Sequence, residues 1–124
     1  MVDFKQGGFL KLRAIDPQQG LGFVAPLLVE GEAVVGAFQA GRDSLVFTTK
    51  RIVAINVQGI TGKKTDYTSI PYSKIQTFSV ETSGVFDRDS ELEIYVSPIG
   101  MIKFELQGSF DIRALAKIIG GYVL

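Results

Sequence analysis

The basic side chains in the middle of the sequence are the first candidates for chemistry, because they stand in short polar turns. Arg42 precedes Asp43, and two basic pairs follow at Lys50-Arg51 and Lys63-Lys64. Clustered basic side chains attract phosphate groups or the acids of a neighbouring molecule. We therefore predict a candidate interface or ligand surface that consists of Arg42, Asp43, Lys50, Arg51, Lys63 and Lys64.

Each of these charges also has a simpler structural interpretation. Lys50-Arg51 and Lys63-Lys64 fall in consecutive hairpins, and consecutive turns of a meander lie at opposite ends of the sheet. We therefore expect two separate patches, and solvated turn charges explain both of them. At Arg42-Asp43, we favour a turn in which Asp43 accepts backbone N–H groups and Arg42 pairs across the turn. The functional alternative is a salt bridge between subunits.

Acidic side chains alternate along the stretch "FDRDSELE", namely Asp87, Asp89, Glu91 and Glu93. Oxygen ligands of this kind bind hard cations. The glycine and the closing glutamate of an EF-hand loop are missing, and no second carboxylate element completes a catalytic pair. We expect a solvated strand edge whose charges oppose aggregation, and no metal site.

The sequence contains no cysteine and no histidine. Their absence excludes disulfides, thiolate nucleophiles, the usual zinc sites and a Ser-His-Asp triad within the chain. A hydrolase would need lysine or carboxylate bases in a cleft that excludes water, and the sequence shows no sign of one. We therefore expect no catalytic residues, no cofactor and no enzymatic activity.

Charge and hydropathy also limit the partners of the chain. Thirteen basic and thirteen acidic side chains leave the 124 residues without net charge, so we expect no nucleic-acid partner. The longest apolar stretch, residues 21–29 ("LGFVAPLLV"), contains Pro26 and is shorter than the roughly 20 residues that cross a membrane. With no secretory signal at the start, we expect a soluble cytoplasmic protein of one domain.

Most of the chain after residue 32 shows the alternation of half-buried strands. In "ELEIYV", the side chains of Leu92, Ile94 and Val96 share one face, and "MIKFELQ" repeats the pattern. Turns that contain glycine or proline separate about seven such strands. We predict a mainly β domain over residues 32–124, preceded by an irregular or partly helical N-terminal arm over residues 1–31. A broken helix is expected at residues 23–29 of this arm, and residues 7–14 ("GGFLKLRA") are open to a short helix or an edge strand.

One amphipathic helix is predicted at the C-terminal end. An apolar stripe with helical spacing runs through Ile112, Leu115, Ala116 and Ile119. Ser109 is expected to cap the helix, with Asp111 in its first turn, and Gly120-Gly121 to end it.

Two of the predicted strands, "AVVGAF" and "RIVAINV", are apolar on both faces. The interior of a barrel takes only one of these faces, so the other face needs a cover. The N-terminal arm, the C-terminal helix or another subunit could supply it. Free strand edges are further docking sites for a protein or peptide partner.

The sequence resembles the bacterial pleckstrin-homology (PH) domain family over roughly residues 28–124. The resemblance is carried by residues 42–43, 47–51 ("FTTKR"), 58–64 ("QGITGKK"), 70–72 ("IPY"), 78–82 ("FSVET") and 86–92. It implies a PH-like barrel of antiparallel strands capped by the C-terminal helix. It also implies self-assembly, because ring-like oligomers are known in this family. It implies no activity, since the family has no established catalytic role.

Two functional hypotheses follow. The first is a non-enzymatic binding scaffold that self-assembles into a ring-like homo-oligomer, with an unknown ligand. The alternative is a membrane-surface or phosphoinositide-binding adaptor, by analogy with other PH domains. Those domains place a Lys-x(n)-Lys/Arg-x-Arg pattern across their first two strands, where this chain has Arg42 alone. A membrane lipid is therefore the weaker expectation.

Overall fold

A single sheet organises the molecule. The computed structural model describes residues 1–4, 11–82 and 89–124. Eight strands within these residues form one sheet in the order β5-β4-β3-β2-β1-β8-β7-β6. The strands are β1 Lys11–Ile15, β2 Val34–Ala40, β3 Asp43–Thr48, β4 Arg51–Gln58, β5 Lys64–Pro71, β6 Thr77–Thr82, β7 Asp89–Val96 and β8 Gly100–Gln107. The described part of the chain also contains the helices α1 Pro17–Val24 and α2 Ile112–Val123.

The sheet curls into a half-barrel with two free edges. Consecutive strands pair antiparallel from β2 to β5 and from β6 to β8, as the alternation predicts. Strand β1 joins these two groups, since it runs antiparallel to β2 and parallel to β8. Within the described residues β5 and β6 do not pair with each other, so each is an edge strand.

The predicted mainly β fold with a C-terminal capping helix is confirmed, and β2–β8 are the seven expected strands. The additional strand, β1, comes from the N-terminal arm, where a short helix and an edge strand were the alternatives, and it lies inside the sheet between β2 and β8. It buries Leu12 completely and leaves Lys11 and Arg13 exposed. Neither of its partner strands follows it directly in the chain, so no short turn in the sequence predicts its pairing. The domain boundary near residue 31 stays a prediction.

Apolar cores lie on both faces of the sheet. The inner face holds the larger core, which α2 closes with Ile112, Leu115 and Ile119. The outer face of β2, β3 and β4 carries a second core, in which Val24 of α1 packs against Ala37, Val46, Val53 and Ile55. Of the three covers that the two-faced strands allowed, the N-terminal arm is the one found on this face.

Helix α1 begins earlier than expected. The Asp16 side chain accepts the backbone N–H of Gln18 at 2.9 Å, and Pro17 follows at the first helical position. Both features favour a helix start. The helix predicted at residues 23–29 is therefore wrong in its bounds, because α1 ends at Val24 and only a short 3-10 turn, Ala25–Leu27, follows.

Helix α2 also differs from its predicted ends, although its apolar stripe is confirmed. Asp111, not Ser109, is the cap, and its carboxylate accepts the backbone N–H of Ala114 at 3.0 Å. The helix continues through Gly120-Gly121, because Leu124 N–H still donates to the Gly120 carbonyl at 2.9 Å. Among the described residues, neither helix has the length and apolar composition needed to cross a membrane.

Candidate functional site

A buried ion pair ties the loop before β2 to the start of β4. Arg51 donates to the two carboxylate oxygens of Glu32 from Nε at 2.9 Å and from Nη2 at 3.0 Å. The Thr48 hydroxyl and the Val29 backbone N–H donate to the same carboxylate at 2.6 and 3.1 Å. The Glu32 side chain has no exposed surface, so these donors replace the water that it would otherwise bind.

The protonation of this network follows from its contacts. Burial alone would raise the pKa of Glu32, but hydrogen bonds from Arg51, Thr48 and Val29 outweigh it and hold the pKa below its ordinary value of 4.5. Burial raises the pKa of Tyr72, and the charge of Glu32 adds to this effect. The Tyr72 hydroxyl donates to the Thr48 carbonyl at 2.7 Å. The network is satisfied internally and offers neither a free base nor a nucleophile.

Arg51 is therefore engaged within the fold rather than free for a ligand. Its Nη1 and Nη2 also donate to the Ser69 hydroxyl at 3.1 Å and the Leu27 carbonyl at 2.6 Å. Lys50 precedes it in the β3–β4 turn and is exposed. Strand β4 separates this turn from Lys63-Lys64, so the two basic pairs lie at opposite ends of the strand, as expected.

Arg42 and Asp43 contact strand β4 and the turn that follows it. Asp43 Oδ1 accepts the Val57 backbone N–H and the Asn56 side-chain amide, both at 3.1 Å. Asp43 thus accepts a backbone N–H as expected, although the donor lies across the sheet on β4. Arg42 Nη1 donates to the Gly59 carbonyl at 2.8 Å, so Arg42 extends to the β4–β5 turn and does not pair across its own.

These contacts create a patch that we name the basic tip, formed by Arg42, Ile60, Lys63 and Lys64. All four residues are exposed, and Ile60 is fully exposed to solvent. Within the described residues, none of the three cations forms an ion pair. The sequence did not indicate that Arg42 joins Lys63-Lys64, because the link is a single hydrogen bond to a turn carbonyl. Ile60 could have been found from the sequence, because it is an apolar residue within the otherwise polar turn "QGITGKK".

A second charged patch lies on the outer face of β6, β7 and β8. Glu81 stands opposite Glu91, and Glu91 stands opposite Glu105. Lys103 Nζ lies 3.5 Å from Glu91 on the same face. Lys103 also stands directly opposite Glu93, so it offsets part of the repulsion that like charges directly opposite each other cause in a sheet. We name Glu81, Glu91, Glu93 and Glu105 the acidic face.

The acidic face has no geometry for a metal ion. The described residues contain no group of three or more acidic side chains placed to hold a metal ion. Of the four acids first considered for a cation, Asp89 accepts the Gly108 backbone N–H through its Oδ1 at 3.2 Å. Asp87 lies outside the described residues. The acidic face therefore presents one exposed carboxylate, that of Glu81, and three half-buried ones to a partner of opposite charge.

Known proteins resemble this chain over most of its length. Residues 3–123 match the sequence model of the bacterial PH domain family. The uncharacterized protein YjqA of Bacillus subtilis is 57% identical over 74 residues, which are 60% of this chain and 59% of YjqA. The match thus spans less than two thirds of that relative.

Solved structures extend the similarity to the fold. A DUF1696 family protein with a pleckstrin-homology domain from Shewanella loihica is 34% identical, with a TM-score of 0.69, over 93% of this chain and 99% of that one. A pleckstrin homology domain from Shewanella amazonensis is 39% identical, with a TM-score of 0.56, over 89% and 90% of the two chains. The half-barrel with its C-terminal helix is the fold that these proteins share.

Proposed function

The chain is a member of the bacterial PH domain family, and from this premise we propose that it is a non-enzymatic binding scaffold that assembles head-to-tail into a ring-like homo-oligomer. In this assembly, the basic tip of one copy contacts the acidic face of the next. The observation that carries the proposal is the presence of two surface patches of opposite charge on different halves of one sheet, every residue of the basic tip exposed and the acidic face partly so.

The distribution of charge over the surface supports such a contact, whereas the net charge of the chain merely permits it. The chain has no net charge, so copies of it do not repel one another at long range. The cations of the basic tip have no ion-pair partner among the described residues, and the same is true of Glu81, Glu93 and Glu105. Complementary patches of this kind direct association and fix its register. Ile60 adds apolar surface to the contact.

The type of contact favours a ring. Each copy would use two different patches, which makes the contact heterologous, and heterologous contacts close into rings when the rotation between copies permits it. The apolar outer face of β2, β3 and β4 does not support assembly, because α1 already covers it. The proposal therefore depends on the charged patches and on the family.

The non-enzymatic part of the proposal is supported by the polar groups of the fold. The chain lacks cysteine and histidine, which removes the thiol nucleophile and the most common general base. Among the described residues, the most buried ionisable groups are Glu32 and Tyr72, and they are engaged with Arg51 and Thr48. These contacts hold a loop against the half-barrel and leave neither of the two groups free for proton transfer.

Light scattering at micromolar protein concentration tests the assembly. We expect a mass several times 13.5 kDa at about 0.1 M salt, and a lower mass at about 1 M, because the Debye length falls from about 10 Å to about 3 Å. The double substitution Lys63→Glu and Lys64→Glu should give a monomer. Lys50→Glu, at the far end of β4, is the matched control and should leave the mass unchanged. A wild-type monomer at every salt concentration would refute the proposal.

The basic tip also favours a second candidate function, an adaptor for anionic membrane surfaces. A fully exposed Ile60 lies between Arg42 and Lys63-Lys64. Apolar side chains enter the boundary between lipid headgroups and acyl chains, while neighbouring cations attract anionic headgroups. This candidate uses the same patch as the assembly, so the two functions need different tests.

A fluorescence measurement tests the membrane adaptor. The chain contains no tryptophan, so Ile60→Trp introduces a single reporter. With phosphatidylglycerol vesicles we expect a blue shift of its emission, and with phosphatidylcholine vesicles none. Val29→Trp, at another exposed position, is the control. Glu81→Lys with Glu91→Lys should lower the assembled mass and spare lipid binding. An unchanged emission with anionic vesicles would rule out insertion of the basic tip.

A further inference from the structure

The gap between the two edge strands of the half-barrel contains an open cleft. The cleft lies between the end of β5, the 3-10 turn Tyr72–Lys74 and the turn that joins β7 to β8. Its volume is about 490 Å³. Ligand clefts in proteins measure roughly 300–1,000 Å³, so this one has room for several side chains.

The chain itself fills the neighbouring part of the gap. Val2 is buried, and its backbone N–H donates to the Thr68 hydroxyl on β5 at 2.9 Å. The Phe4 ring packs edge-on against Phe104 of β8, with the ring centres 6.2 Å apart. Ile99 borders both this filled part and the open cleft. A short piece of chain therefore fits between β5 and β8 immediately beside the cleft.

The cleft has an apolar floor and one charge. Ile70, Ile75 and Val96 form the floor and are buried, while Ile99 is half-buried at the β7–β8 turn. Lys74 is exposed at the border and is the only charged side chain among the described residues that line the cleft. A ligand with an aliphatic group and a nearby negative charge matches these walls.

We propose that this cleft binds an extended peptide segment of a partner protein. The segment lies along the edge of β5, places an aliphatic side chain on the apolar floor and presents a carboxylate to Lys74. Within the described residues, β5 is paired only on its β4 side, and such an edge offers backbone groups to an added strand. Apolar contact supplies affinity, and the carboxylate fixes the direction of the peptide.

The site is compatible with the proposed assembly. Lys64 stands at the start of β5, whereas Ser69 and Pro71, which border the cleft, stand at its end. The basic tip and the cleft are therefore at opposite ends of one strand. Peptide binding rests on the proposed role as a binding scaffold, but it does not depend on the ring. The monomeric variant Lys63→Glu with Lys64→Glu should bind the same peptides with the same affinity.

Selection from a random octapeptide display library on that monomeric variant tests the proposal. We expect enriched sequences with an aliphatic residue followed closely by aspartate or glutamate. The enriched peptide is then synthesised and titrated by calorimetry. Ser73→Trp places a large ring in the cleft and should abolish detectable binding. Lys74→Glu should weaken binding about two- to five-fold, as for an exposed ion pair, and should favour basic peptides in a new selection.

Matched controls separate the outcomes. Lys11→Glu changes an exposed lysine on β1, a strand that does not border the cleft, and should leave peptide binding unchanged. Thermal melting verifies that each variant is folded. The proposal is overturned if no sequence is enriched, or if enriched peptides lack a carboxylate. It is also overturned if enriched peptides bind the Ser73→Trp or Lys74→Glu variant as tightly as the parent. None of these results changes the mass of the wild-type assembly, so failure here leaves the ring proposal standing.

Discussion

Glu32 carries a negative charge without exposed surface because its neighbours supply the hydrogen bonds that water would make. Glu32→Gln keeps the shape of the side chain but removes the charge that Arg51 and Thr48 recognise. We expect a loss of about 1.5–3 kcal/mol in the free energy of unfolding, the usual value of hydrogen bonds to a charged group. Urea denaturation measures it as a lower midpoint at an unchanged slope.

The neighbouring acid provides the control for this change. Glu30 is exposed, and Glu30→Gln should change the free energy of unfolding by no more than about 0.5 kcal/mol. Equal effects of the two substitutions would show that the Glu32–Arg51 pair does not stabilise the fold.

The same carboxylate makes stability depend on pH. Its pKa in the folded protein is below the ordinary value of 4.5, so the charged form binds its partners more tightly than the protonated form. This contribution is complete above pH 4.5 and is lost as the pH falls through the lowered pKa. In urea titrations below about pH 4.5, wild type should lose stability more steeply than Glu32→Gln. Parallel curves for the two proteins would contradict the assignment.

Individual residues were predicted from the sequence with uneven success. Arg51 was predicted to lie on a ligand surface. In the structure it donates to the carboxylate of Glu32, which lies 19 residues earlier in the sequence. Sequence spacing carries no signal for such a pair, because the β3–β4 hairpin and a loop bring it together. Ile60 is the opposite case, since an apolar residue in a polar turn is visible in the sequence. Its position beside Arg42 was not visible in the sequence, because it follows from the hydrogen bond that Arg42 donates to the Gly59 carbonyl.

At the scale of elements, helix α1 shows how packing overrides propensity. Gly20 faces β2, and a Cβ there would overlap the Cβ of Ala37, whereas a Cβ on Gly22 would meet nothing within 4 Å. Gly22→Ala should therefore stabilise the protein by up to about 1 kcal/mol. Gly20→Ala should destabilise it by about 1–3 kcal/mol through overpacking. Thermal melting of both variants measures the difference, and shifts of the same sign would contradict the packing of α1.

The acidic face predicts an opposition between stability and assembly. Glu81 on β6 stands directly opposite Glu91 on the neighbouring strand β7, so Glu81→Lys replaces a repulsion between these side chains with an attraction. We expect a gain of about 0.2–1 kcal/mol in the free energy of unfolding, together with a lower assembled mass. Chemical denaturation and light scattering on the same sample measure the two effects. A stabilised variant with the wild-type mass would show that Glu81 has no part in assembly.

Strands were more predictable than helix ends, for physical reasons. Alternation is strong in β7 and β8, where Leu92, Ile94 and Phe104 are completely or almost completely buried. Strand β1 has only five residues, and its parallel partner β8 begins 85 residues after β1 ends. No local turn in the sequence therefore predicts this pairing. The start of α2 depended on whether Ser109 or Asp111 caps it, and both residue types are common caps.

At the scale of the whole molecule, the strands that are apolar on both faces need a cover on the face outside the half-barrel. The sequence left the arm, the helix and a second copy as alternatives, and α1 is the cover on the outer face of β2, β3 and β4. The apolar outer face of these three strands therefore explains the fold and not the assembly. Two surface patches of opposite charge, the basic tip and the acidic face, are left among the described residues, and the proposed assembly depends on them.

Light scattering of mixed charge-reversal variants tests that assembly most directly. One variant carries Lys63→Glu and Lys64→Glu, and the other carries Glu81→Lys and Glu91→Lys. Each variant alone brings like charges together and should remain near 13.5 kDa. An equimolar mixture restores opposite charges at every contact and should recover a mass several times larger. If both variants alone retain the wild-type mass, or if the mixture stays monomeric, the basic tip and the acidic face do not bind each other.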